Sequence, residues 1–228
     1  MGTERHFDQE LAGLKEVLLR MASMAEQSVA LSLKALITRD DAVALGVEID
    51  DNEIDQLQIE IDERCMKMLA LRQPTARDLR FIMMATKINT DLERIADSAV
   101  NIARRAQKLN TEPLLKPLVD IPRMGEIVRG MIHDALDAFV YEKIELARRI
   151  IPVDKEVDNL DRELHQELTE IMINDPTTVN RAVNLISIAH NLERIGDHAT
   201  NIAEDIVYLY EARDIRHQHE EPTVSPTP

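Results

Sequence analysis

Apolar residues recur at steps of three and four along most of the chain, which is the spacing of one face of an α-helix. The first pattern runs from about Phe7 to Ile37 and the second from about Asp41 to Leu71. A third runs from about Thr75 to Leu109, after Pro74, which disfavours helix in the residue before it. We therefore predict three helices of ~30 residues, each ~45 Å long, in the first half of the chain.

The second half of the chain repeats this pattern after a displacement of about 100 residues. Met124 to Phe139 resembles Met21 to Leu36, and Val153 to Met172 resembles Asp50 to Leu69. Pro176 opens the last helix as Pro74 opens the third. Three prolines within residues 110–122 mark a connector between the halves.

The predicted fold is all-α, with two tandem pseudo-symmetric three-helix bundles and six long antiparallel helices lying side by side or end to end. The last residues lack apolar periodicity, so we expect them, with His217 and His219, to be disordered. The predicted parts are, in order, a first bundle 1–109, a linker 110–122, a second bundle 123–212 and a tail 213–228.

The closest internal match joins the last helices of the two halves. Nine of twelve residues coincide between Leu92–Ala103 and Leu192–Ala203. Beside the apolar seam of each helix, two carboxylates one turn apart project in the same direction. The second helix of each half carries a similar pair. The eight acids are Asp51 with Asp55, Glu93 with Asp97, Asp154 with Asp158, and Glu193 with Asp197.

Four carboxylates per half, on helices ~8 to 10 Å apart, need positive charge to remain ionised. A metal ion held by oxygen ligands would supply it, and such ligands favour hard cations, Mg²⁺, Mn²⁺, Ca²⁺ or iron. Arginines or a solvated acidic face are the alternatives. Asn101 and Asn201 suit helix-to-helix hydrogen bonds better than metal binding, and Arg94 and Arg194 suit ion pairs with the acids.

The charge and the cysteine count narrow the function classes. The formal net charge of −15 comes from 42 acidic and 27 basic residues, with no dense basic run, which argues against binding nucleic acid. The lone Cys65 lies on an apolar helix face and fits a reducing compartment. A polar N-terminus and the lack of an apolar run near ~18 residues predict a cytoplasmic protein, or one at the membrane periphery.

The paired stretches Leu192–Ala203 and Leu92–Ala103 resemble the signature of the PhoU family of phosphate-specific transport regulators. The resemblance runs from about residue 7 to 210 and includes the tandem repeat, the proline linker and both kinds of acidic pair. It implies two pseudo-symmetric three-helix bundles with multinuclear metal clusters bound by the eight acids. The metal varies within the family, so iron, zinc, magnesium and manganese all remain open.

The resemblance also implies a function: negative regulation of phosphate uptake and of the phosphate-starvation response. Such proteins are adaptors that link the ATPase of the phosphate ABC transporter to a membrane sensor histidine kinase, and they form homodimers. From the residues themselves, a metal-dependent phosphoester hydrolase is the alternative, because paired ions bridged by carboxylates can activate water. A helical scaffold whose acids only keep it soluble is a third hypothesis.

Overall fold

The computed structural model describes residues 2–215, and all regular secondary structure within that range is helical, which confirms the all-α prediction. Seven α-helices occur there, with 3₁₀ turns at Ile151–Val153 and Pro176–Thr178. The α-helices are α1 Gly2–Thr38, α2 Asp41–Arg72, α3 Ala76–Asn110, α4 Asp120–Tyr141, α5 Ile144–Ile150, α6 Asp154–Asn174 and α7 Val179–Glu211.

The turns between the first helices follow from local chemistry. The Asp40 side chain caps α2 by accepting hydrogen bonds from the backbone N–H groups of Ala42 at 2.9 Å and Val43 at 3.2 Å. At the other end, Gln73 adopts a left-handed conformation with φ 47° before Pro74, so α2 stops there. These short turns force α1, α2 and α3 to run antiparallel to their neighbours.

Each half forms its own three-helix bundle, as predicted. In the first, α1, α2 and α3 pack on one another, and in the second α4 and α7 pack with the α5–α6 segment. The repeated apolar seam lies in both cores, where Leu92, Ile95, Leu192 and Ile195 are fully buried.

The two bundles lie side by side, with α3 packed along α7. These helices run antiparallel, because Lys87 Nζ lies 3.4 Å from Asp205 Oδ1 while Arg105 donates to Asn184 Oδ1 at 3.3 Å near the opposite ends. The two equivalent helices therefore pair around a pseudo-twofold axis. The acidic pair of each helix lies beside the acids of a neighbouring helix of its own bundle, α2 for α3 and α6 for α7.

A second contact between the bundles joins α1 to α4. Gly125 of α4 lies so close to Leu33 of α1 that a Cβ added to the glycine would be 2.2 Å from Leu33 Cδ1. A larger residue here would force the Leu33 side chain into another rotamer within the core.

Three boundaries differ from the sequence-based prediction. The helix α4 already begins at Asp120, inside the predicted linker 110–122, because Pro122 is tolerated in a first helical turn. The second long helix of the second half is split into α5 and α6 around Pro152. Ile215, in the predicted tail, packs against the core, and His217 and His219 lie outside the described residues.

Cys65 is buried, as its apolar helix face predicted. Among the described residues, no helix is both long and apolar enough to cross a bilayer.

Candidate metal centres

Three of the eight predicted acids converge at the junction of α6 and α7. Each of Asp154, Asp158 and Asp197 offers one carboxylate oxygen, and these three oxygens all lie within 4.8 Å of one another. The first two residues are one turn apart on α6, and the third faces them from α7. The approach of three negative oxygens is unfavourable unless a proton or a cation lies among them.

Asp154 is the most perturbed acid of this cluster. Its pKa rises from the ordinary 3.8 to about 7, because burial disfavours the charged form and the charges of Asp197, Asp158 and Glu193 oppose it further. Its Oδ1 atom is buried and has no hydrogen bond of normal geometry, although the Thr200 hydroxyl is near enough to lower the pKa of the carboxyl in part. A buried acceptor without such a hydrogen bond is costly, so this oxygen is suited to binding a cation.

Gly196 creates the space that Asp154 occupies. A Cβ at this position would lie 3.2 Å from Asp154 Oδ1 and 3.7 Å from methyl groups of Val128 and Val157. The first repeat has Ala96 at the equivalent position. The glycine therefore lets one carboxylate of α6 rest against the backbone of α7.

Glu193 is the fourth acid of this repeat. Its Oε2 atom is buried and accepts no hydrogen bond, although His190 Nδ1 lies 3.3 Å away. Burial raises the pKa of Glu193, and the neighbouring Asp197 raises it further. Burial also raises the pKa of Asp197, with Asp158 adding to the effect and Arg194 opposing it.

Sequence comparison missed Asp161 as a member of this cluster. Burial raises its pKa and the charge of Asp158 adds to the increase, while His190 and His165 lower it. The equivalent residue in the first repeat is Gln58, so a search for acids shared by both repeats excludes it. The signal that could have found it is its spacing of one turn from Asp158 on α6.

The donors of the second repeat fit a hard cation. They are carboxylate oxygens, and two of them are buried without a hydrogen bond. Because the raised pKa values keep protons on these acids, a bound ion would take the place of those protons. Asp154, Asp158, Asp197 and Glu193 are the residues that would hold it.

The first repeat brings its acids together less tightly. Burial and the charges of Asp55, Asp97 and Glu93 raise the pKa of Asp51 to about 6, while Arg104 lowers it. Among the described residues, however, no three of these oxygens meet the distance that the second repeat achieves.

Arg94 partly neutralises this first cluster. Its guanidinium lies 3.4 Å from Glu93 and 3.6 Å from Asp97, both on its own helix. A half-exposed arginine in this place competes with a cation for the same oxygens. The acids of the two repeats therefore differ in how closely they converge and in how much positive charge surrounds them.

The two repeated asparagines differ in their surroundings. Asn201 donates from Nδ2 to Asp91 Oδ1 of α3 at 3.3 Å, and His198 Nδ1 lies 2.8 Å from the same oxygen. This contact joins the two bundles and lies beside the acidic pairs. Asn101 is half-buried at the equivalent position of α3.

The fold and the clusters together define the class: a duplicated three-helix-bundle protein with an acidic cluster in each repeat and a candidate metal site in the second. Comparison with known sequences narrows this class. The sequence profile described as the PhoU domain matches residues 18–106 and 121–206, one match in each repeat. The chain belongs to the PhoU family.

Relatives match over nearly the whole chain. The phosphate-specific transport system accessory protein PhoU homolog of Pseudomonas aeruginosa is 40% identical over 214 residues, covering 93% of this chain and 88% of that protein. The phosphate-specific transport system accessory protein PhoU of Escherichia coli is 34% identical over 211 residues, covering 92% of this chain and 88% of that protein.

Solved structures agree with the fold. The crystal structure of PhoU from Pseudomonas aeruginosa superposes with a TM-score of 0.89 at 39% identity, covering 91% of this chain and 100% of that one. The crystal structure of the phosphate transport system regulatory protein PhoU from Streptococcus pneumoniae superposes with a TM-score of 0.85 at 28% identity. The match covers 92% of this chain and 99% of that one.

Proposed function

We propose that this protein is an accessory protein of a phosphate-specific transport system that lowers phosphate uptake and represses the phosphate-starvation response. The observation that carries the proposal is the match of both repeats to the PhoU domain, with relatives of that name aligned over more than nine tenths of the chain. In this role it is a cytoplasmic adaptor, a homodimer that contacts the ATPase of the transporter and a sensor histidine kinase.

The adaptor acts as a metalloprotein in this proposal. Asp154, Asp158, Asp197 and Glu193 hold a cation at the junction of α6 and α7, and the four equivalent acids of the first repeat hold a weaker one. The support is the buried unpaired oxygens and the raised pKa values in the second repeat. The bound ion replaces protons and fixes the acidic margins of α6 and α7 against each other within the second bundle.

The test is a deletion of the gene in its own organism, complemented with the wild-type protein. In phosphate-replete medium we expect the deletion strain to show raised phosphate uptake and raised alkaline phosphatase, and the wild-type copy to restore both to low values. A deletion strain that regulates uptake and phosphatase normally would contradict the regulatory role.

Two double variants test whether the regulatory role requires the metal. Asp154→Asn with Asp197→Asn removes two oxygens of the tightest cluster, and Asp50→Asn with Glu163→Gln removes two exposed acids as a matched control. We expect only the first pair to lose repression and the metal measured by elemental analysis. Full repression by the first pair would refute the metal dependence and leave the regulatory role standing.

Contact with the partners is tested directly by pull-down with the transporter ATPase and the sensor kinase, with and without a chelator. We expect binding to both, weakened by the chelator. A turnover assay with phosphate esters addresses the competing hydrolase hypothesis. Metal-dependent hydrolysis lost in the Asp154→Asn and Asp197→Asn variant would show that the protein is more than an adaptor.

A further inference from the structure

The helix α2 carries two opposite apolar faces. Its inner face, with Ile54, Ile61 and Met68, is buried against α1 and α3. Its outer face exposes four large apolar side chains: Leu45 at 53%, Ile49 at 60%, Ile59 at 58% and Met66 at 71%. A helix on the outside of a bundle normally shows polar residues there, so this second face needs another explanation.

The exposed residues follow a heptad pattern. Leu45, Asn52, Ile59 and Met66 are each seven residues apart and take one core position of a heptad, while Ile49, Gln56 and Glu63 take the other. Positions that alternate by four and three share one face of a helix, so the four apolar side chains lie on the same face of α2. They form two pairs, Leu45 with Ile49 and Ile59 with Met66, with Asn52 and Gln56 between the pairs and Glu63 beside the second one. We call Leu45, Ile49, Ile59 and Met66 the outer seam.

The second repeat shows that the bundle does not require this stripe. The residues equivalent to the outer seam are polar, charged or proline. They are Arg148 for Leu45, Pro152 for Ile49, Arg162 for Ile59 and Thr169 for Met66. The same fold position is therefore hydrophilic in one repeat and apolar in the other, so the seam is not explained by packing within the chain.

Acidic residues line both sides of the outer seam. Glu53, Glu60 and the single basic residue Lys67 lie on one flank, and Glu48, Asp62 and the predicted ligand Asp55 lie on the other. Exposed arginines contact three of these acids, Arg20 with Glu53, Arg64 with Glu60, and Arg104 with Glu48. Such exposed pairs are weak and can exchange for another cation.

This charge pattern decides between possible occupants. Two copies of α2 packed antiparallel through their seams would place Glu53 of one copy beside Glu60 of the other, and a parallel pair would place Glu48 beside Glu53. Like charges across a coiled coil disfavour both, and the net charge of −15 adds to the repulsion. Anionic lipid headgroups are repelled by the same acids.

We propose that the outer seam of α2 docks an amphipathic α-helix of another protein, with an apolar stripe flanked by lysines and arginines. The partner helix packs its apolar residues on Leu45, Ile49, Ile59 and Met66, and its basic flanks meet the acids on both sides of the seam. This surface lies on the first repeat alone, and the inference goes beyond the metal-binding adaptor role without depending on it.

The binding test uses a fluorescein-labelled peptide of three heptads, ~21 residues, with leucine at the two core positions and lysine at the flanking ones. A second peptide replaces the lysines with glutamate. We expect the full-length protein to bind the lysine peptide, with an affinity that falls as salt rises, and to bind the glutamate peptide at least about tenfold more weakly. Fluorescence anisotropy measures both affinities.

Matched variants locate the binding site. Ile49→Gln with Ile59→Gln removes the apolar contact without changing charge, and we expect the affinity to fall by about tenfold or more. Ile173→Gln with Val183→Gln removes two exposed apolar residues of the second repeat and should leave the affinity within about twofold. Glu53→Gln with Glu60→Gln should flatten the salt dependence. Circular dichroism verifies that each variant is folded.

Four results would overturn the proposal. The first is no binding of the lysine peptide, and the second is equal binding by the wild-type protein and the Ile49→Gln, Ile59→Gln variant. The third is a wild-type dimer in sedimentation that this variant abolishes, because the seam would then be covered by a second copy. The fourth is wild-type binding to phosphatidylglycerol vesicles that the variant abolishes, because the seam would then face a membrane.

Discussion

Without a bound cation, the charge on Asp154 opposes folding. The carboxyl group holds its proton up to about pH 7 in the folded protein but loses it near its ordinary pKa of 3.8 in the unfolded chain. Between these values only the unfolded chain carries the charge, so the free energy of unfolding falls as the pH rises. Below about pH 3.8 the carboxyl group is protonated in both the folded and the unfolded state. Above about pH 7 it is ionised in both, so the loss of stability is complete there.

The size of this penalty follows from the two pKa values. The difference between 3.8 and about 7 is worth about 4 kcal/mol at ~1.36 kcal/mol per pH unit. Solvent screens a half-buried carboxylate, which reduces the penalty to about 1 to 2 kcal/mol. Asp154→Asn removes the charge and keeps the shape. We therefore expect the metal-free variant to be about 1 to 2 kcal/mol more stable than the wild type at about pH 8 and nearly equal to it at about pH 4.

Urea unfolding in the presence of a chelator, followed by circular dichroism at several pH values, measures the difference. Asp51→Asn is the matched control in the first repeat and should give a smaller gain, because the pKa of Asp51 reaches only about 6. Adding Mn²⁺ should reverse the order, since saturating a site at about 100 times its Kd contributes ~2.7 kcal/mol to the wild type. An Asp154→Asn variant that is less stable than the wild type at about pH 8 in chelator would refute the reasoning.

Three further substitutions probe the geometry. Gly196→Ala adds a Cβ 3.2 Å from Asp154 Oδ1, so we expect Mn²⁺ affinity to fall by about tenfold in calorimetry; unchanged affinity would show that the glycine does not shape the site. Gly125→Ala adds a Cβ 2.2 Å from Leu33 Cδ1, and we expect urea unfolding to show a loss of about 1 to 3 kcal/mol. Combining it with Leu33→Ala should cost less than the sum of the two single losses, and additive losses would contradict the clash. Asp91→Ala removes a carboxylate that two α7 side chains contact, and thermal unfolding should show a loss of about 1 to 3 kcal/mol, whereas an unchanged Tm would mean that the contact adds no stability.

The repeated sequence predicted most of the fold because helical periodicity is a local property. The apolar seam at Leu92 and Leu192 is buried in both bundles as expected. The break at Pro152 was missed because the comparison with the unbroken α2 suggested one continuous helix. The side-by-side arrangement was one of two possibilities, since periodicity describes each helix and not how bundles dock.

The acidic pairs were found because the duplication repeats them, and the limits of that signal are equally clear. Asp161 was missed because its counterpart is Gln58. The difference in geometry between the two clusters depends on Gly196 and on where the Arg94 guanidinium points. The spacing of residues along a helix predicts neither feature. The effect of Gly196 depends on a side chain of the neighbouring helix α6, and the position of the Arg94 guanidinium depends on its rotamer.

The contact between Asp91 and His198 has a consequence for how a duplicated chain avoids mispairing. Since α3 and α7 are near copies, α3 could pair with α3 of another molecule, and α7 with α7, which are routes to domain exchange. An α3–α3 pair would set Asp91 beside Ser98, and an α7–α7 pair would set Asn191 beside His198. Only the pairing of α3 with α7 places the Asp91 carboxylate 2.8 Å from the His198 imidazole. The two positions at which the repeats differ, Asp91 against Asn191 and Ser98 against His198, therefore favour the packing of α3 on α7 within one chain.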